Sequence, residues 1–91
     1  MANYIAHYRK KLYTLERKKL DLKRLLERHG TEEKVAMAAI EVRESQIRVL
    51  EAKRAQIPPC EANADRILTI DKEIASCSCL RVADIIAACR H

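Results

Sequence analysis

At 91 residues the chain is one small domain, too short for a second hydrophobic core. With 48% apolar and 34% charged residues, one Gly, two Pro and neither Phe nor Trp, its composition is that of long helices joined by few turns, and the expected class is all-α. The net charge of +5 is unevenly placed: residues 1–30 hold nine Lys/Arg against three Asp/Glu, a balance of +6, whereas residues 31–91 hold nine against ten.

The spacing predicts a first helix over 3–29. Ile5, Tyr8, Leu12, Leu15, Lys19, Leu22, Leu26 and His29 alternate at steps of three and four, an apolar seam interrupted by one lysine. Tyr13 and Leu20 widen that surface to one side, and Arg9, Lys10, Lys11, Arg17, Lys18, Lys23 and Arg24 make the solvent side basic. Asn3 suits an N-cap, and Gly30 after His29 suits a helix stop because glycine accepts the left-handed conformation.

A second helix is predicted over 32–57, capped by Thr31 and ended by Pro58-Pro59. Two residues of linker force a tight antiparallel hairpin. This helix carries two heptad patterns. One reads Ala36, Ile40, Arg43, Ile47, Leu50, Arg54, Ile57, and the other reads Val35, Ala38, Val42, Ser45, Val49, Ala52. Two seams want neighbours on two sides. The bulkier pattern is assigned to the first helix. The smaller one allows a close backbone approach, and it is the expected partner-binding face.

The third helix is predicted over 63–76, capped by Asn63, with Ile67, Ile70, Ile74 and Cys77 on its seam. A break near Ser76-Cys77-Ser78 and a cap at Ser78 then start a fourth helix over 79–90, whose apolar side is Leu80, Val82, Ile85, Ile86 and Cys89. The expected architecture is a single domain over 1–91: a long antiparallel, coiled-coil-like hairpin followed by two shorter helices in an elongated bundle.

Little in the chain points to chemistry. A single glycine excludes a phosphate-cradling loop, and no nucleophile–base pair or spaced carboxylate pair stands in a pocket-forming context, so no enzyme activity and no cofactor are expected. Cys77, Cys79, Cys89 and His91 supply four soft ligands, but their spacing departs from that of zinc fingers and ribbons. The structural alternative, small core thiols, is preferred. No run approaches the ~20 apolar residues of a membrane span, and residues 1–10 lack the apolar core of a signal peptide. The chain therefore reads as cytoplasmic.

Two functions are weighed. The first is a non-enzymatic protein–protein interaction module of adaptor, chaperone or inhibitor type. It would self-associate, or bind another protein, through Val35, Ala38, Val42, Ser45, Val49 and Ala52. The alternative is a small basic nucleic-acid-binding regulator that lays Arg9, Lys10, Lys11, Arg17, Lys18 and Arg24 along a phosphate backbone.

Overall fold

The structure, a computed structural model, describes residues 2–90, with side chains from Tyr4 onward. Four α-helices follow one another: α1 (Ala2–His29), α2 (Glu33–Ala55), α3 (Ala64–Cys79) and α4 (Val82–Cys89), with a 3-10 turn (Glu61–Asn63) leading into α3. The fold is an all-α bundle built on the α1–α2 hairpin. At ~1.5 Å per residue, α1 alone runs about 42 Å, and the molecule measures 47 × 25 × 19 Å. Its radius of gyration is 14.8 Å, where a compact chain of this length would have about 12 Å.

The helix ends follow local chemistry, with three departures from the sequence reading. Gly30 adopts φ +69, and its N–H bonds the Leu26 carbonyl at 3.2 Å, closing α1 as expected. The residue that opens α2 is Glu32, in extended conformation, and not Thr31. Its carbonyl accepts from the N–H groups of Val35 and Ala36 at 2.9 and 3.1 Å. Thr31 is taken up by the turn and stays exposed, leaving Glu33 to place negative charge at the helix start. The capping role expected of Asn3 falls on a side chain outside those described.

Asn63 does not cap α3 through its side chain. Its Nδ2 donates instead to the Pro58 carbonyl at 3.1 Å and lies 3.2 Å from Cys60 Sγ, so it fastens the turn that the two prolines open. The α3–α4 break also falls later than expected. Ser78 Oγ donates back to the Ile74 carbonyl at 2.9 Å inside α3, and the helix runs through to Cys79. Leu80 and Arg81 then turn extended, and the Arg81 N–H reaches the Asp84 carboxylate at 3.4 Å.

The largest departure concerns which seam meets which helix. Leu15 and Leu22 of α1 are buried against Val35, Ala39, Val42 and Val49 of α2, with Ile85 of α4 in the same cluster. The small side of α2 therefore faces α1, because the bulk at this contact is supplied by leucines and small residues opposite them allow the close approach. Ala39, which belongs to neither heptad pattern, is fully buried. The bulky side faces α3: Leu50 is buried with Ile70 and Cys77, flanked by Ile47, Ile57 and Ile74. Leu80 touches both clusters. Among the described residues α1 and α3 do not pack on each other, so α2 is the central helix. The surplus apolar surface of α2 is thus met by α3, α4 and Leu80 between them.

Candidate interaction surfaces

The face expected to bind a partner lies inside the chain. Val35, Val42, Ser45, Val49 and Ala52 are buried and Ala38 is half-buried. A second copy cannot reach them while the bundle is intact. The reason is the exchanged seam: the small residues that suit close backbone approach are already occupied by α1 and α4.

What remains outward is a stripe of α1. Arg9, Tyr13, Arg17, Leu20 and Arg24 recur at steps of four, four, three and four, which places them on one side of a helix. All five are exposed, Tyr13 at 66% and Leu20 at 48%. Tyr4, Ile5 and Leu12 are exposed on the same helix. Elsewhere among the described residues the large exposed apolar side chains are Met37 and Leu68. The stripe interleaves three guanidinium groups with an aromatic ring and a leucine over about 22 Å of helix.

The six basic residues proposed for a phosphate backbone do not act as one set. Arg9, Lys10, Arg17 and Arg24 are exposed and make no ion pair among the described residues. Lys18 is taken up by Glu41 of α2, with Nζ 3.5 Å from Oε2. Lys11 is half-buried and turns toward α2. There His7, Lys10, Lys11 and Thr14 meet Ser45 and Arg48 around an open cleft of about 200 Å³.

A wider cleft of about 500 Å³ lies between α1, α2 and α4, with Lys19, Leu20, Lys23, Asp84, Ile85 and Cys89 on its walls. Lys19, the polar interruption of the first seam, is half-buried at this wall. Burial pushes the Cys89 thiol above its ordinary value of 9.0, and the ammonium groups of Lys19 and Lys23 pull it partly back.

The cysteines are dispersed. Cys77 packs with Leu50 and Ile70, Cys89 borders the Leu22–Val42 cluster, and Cys60 and Cys79 are exposed. Burial raises the Cys77 thiol above 9.0, and the Glu73 carboxylate adds to that rise. His91 lies outside the described residues. Among those described, no three His, Cys, Asp or Glu side chains come together around a common point for a metal ion. None of their helices is long and apolar enough to cross a membrane. The chain matches no protein-family model, no curated protein and no solved structure.

Proposed function

We propose that this chain is a non-enzymatic interaction module, of the adaptor, chaperone or inhibitor type, whose binding face is the outer stripe of α1. The observation that supports this is the stripe itself: Arg9, Tyr13, Arg17, Leu20 and Arg24 lie exposed on one line, with Leu20 at the rim of the cleft beside α4. Aromatic and arginine side chains together are the residues most enriched at binding hot spots. The partner that fits is an acidic helical segment of another protein, with apolar residues to meet Tyr13 and Leu20 and carboxylates to meet the arginines. A symmetric dimer through this face would align two like-charged stripes, which opposes self-association here.

The test is site-specific photo-crosslinking in cells from position 13, with the exposed Glu51 of α2 as the control position. A discrete adduct from position 13 that disappears when Arg9, Arg17 and Arg24 are changed to Glu supports the proposal. Equal adducts from both positions, or none from position 13, overturn it.

The nucleic-acid reading stands second, favoured by Arg9, Lys10, Arg17 and Arg24, which are exposed and make no ion pair among the described residues. It requires binding to a generic oligonucleotide that weakens steeply across a salt series. Charge reversal of Lys10, Arg17 and Arg24 should abolish that binding while helicity is retained. Absence of binding at low salt rejects it.

A further inference from the structure

The cleft between the amino-terminal half of α1 and the second half of α2 has a feature the outer stripe lacks: a buried polar group with no partner. His7, Lys10, Lys11 and Thr14 stand at i, i+3, i+4 and i+7, one face of α1, and meet Ser45 and Arg48 on successive turns of α2. Among the described residues no carboxylate lines this cleft and none of its four basic side chains makes an ion pair. Ser45 is only 3% exposed, and among the described residues its hydroxyl has no hydrogen-bond partner. Serine in a helix ordinarily returns its hydroxyl to the preceding turn, as Ser78 does. Thr14, by contrast, satisfies its hydroxyl proton on the Lys10 carbonyl at 3.0 Å. A basic cleft without counter-charge beside an unsatisfied buried donor is complementary to a compact anion with several acceptor oxygens.

We propose that this cleft is an anion site for a single phosphate group, presented as inorganic phosphate or a small phosphomonoester. Arg48 is the planar, bidentate donor, Lys10 and Lys11 are the flexible point charges, and the Ser45 hydroxyl, shut off from solvent in the structure, is the neutral donor that a turn about its χ1 brings to the floor. A volume of about 200 Å³ suits one phosphate and a small substituent. The site lies between α1 and α2 and flanks the outer stripe of α1, with Lys10, three residues before Tyr13, at the boundary of the two.

The experiment is an amide-resolved NMR titration of the full chain with inorganic phosphate, at an ionic strength held constant with sodium chloride. Saturable shifts at His7, Lys11, Thr14, Ser45 and Arg48 are expected, with a phosphate-dependent rise in melting temperature. Arg48→Gln should weaken binding about tenfold. Ser45→Ala removes no charge, and it should weaken binding by about threefold or more while leaving the phosphate-free protein at least as stable. Should Arg48→Gln fail to fold, Lys10→Gln carries the same expectation. Shifts no larger than those of chloride overturn the proposal, as do shifts indifferent to these substitutions. A short oligonucleotide that binds these residues where inorganic phosphate does not would also overturn it, and would assign the cleft to a nucleic-acid backbone.

Discussion

Arg54 Nε lies 2.8 Å from Asp71 Oδ1, an ion pair that bridges α2 and α3 beside the Leu50–Ile70 contact. Its geometry is good, but both side chains are about half exposed, at 50% and 44%. Water screens such a pair, and ordering two side chains costs entropy. A double-mutant cycle on Arg54→Ala and Asp71→Ala should therefore return a coupling of about 0.2–1 kcal/mol that shrinks as salt is raised. A coupling of several kcal/mol would mean that this clasp, rather than the apolar cluster beneath it, holds α3 in place.

Val42 is 2% exposed, between α1 and α4. Had the small seam of α2 been free, Val42→Glu would have abolished assembly and left the fold intact. In the bundle the same substitution forces a longer, charged side chain into the space Val42 fills among Leu22, Ile85 and Val49, beneath the cleft whose wall carries Lys19 and Lys23. The expected outcome is loss of the folded state, because overpacking a filled valine site and taking a carboxylate out of water together exceed the marginal stability of a domain this size. Circular dichroism and a melting curve decide the point. A cooperative, fully helical Val42→Glu variant would show that the α1–α2–α4 contact is not the core.

The hairpin was legible because its signals are local. Gly30 at φ +69 and the donor-less Pro58-Pro59 act within a turn or two of themselves, and the heptad spacing fixes a helix without reference to its neighbours. The pairing of seams was not legible, because it depends on residues distant in sequence. Val35, Val42 and Val49 are small beside Ile47, Leu50 and Ile57, and only the leucines at 15 and 22 decide which set meets α1. Ala39 was missed for the same reason: its burial comes from the approach of α1, and alanine carries little hydropathic signal of its own. The cleft at Ser45 was half visible. Lys10 and Lys11 stand in the basic run of α1, but they join Ser45 and Arg48 only once the hairpin register is known.

Leu20 and Leu22 are two residues apart and should respond very differently to truncation. Leu22 is completely buried in the first cluster, whereas Leu20 is 48% exposed. Leu22→Ala should cost about 2–5 kcal/mol, combining lost transfer energy with a cavity that α2 cannot fully collapse into. Leu20→Ala should stay within about 0.5 kcal/mol, as surface substitutions usually do. Urea unfolding of both variants measures this directly. Comparable losses would mean that Leu20 closes the wall of the 500 Å³ cleft strongly enough to belong to the core.

The four thiols should separate into three kinetic classes. Cys60 and Cys79 are exposed and should react with a thiol reagent first, Cys89, half-buried on the wall of the open cleft, more slowly, and Cys77 only on an opening of the bundle. Burial also raises the Cys77 and Cys89 thiols above 9.0, which lowers their thiolate fraction and slows them further. The same shift makes stability depend on pH. In the unfolded chain these thiols lose their protons at the ordinary value of 9.0, while in the folded chain they hold them to higher pH. Above pH 9 the unfolded state therefore binds fewer protons, and stability falls as pH rises. Below pH 9 both states are protonated and this contribution is fully present. Unfolding free energies at pH 7.5 and pH 10 should thus differ more for the wild-type chain than for a Cys77→Ala/Cys89→Ala variant. An identical pH dependence in the two proteins would show that the buried thiols do not couple to folding.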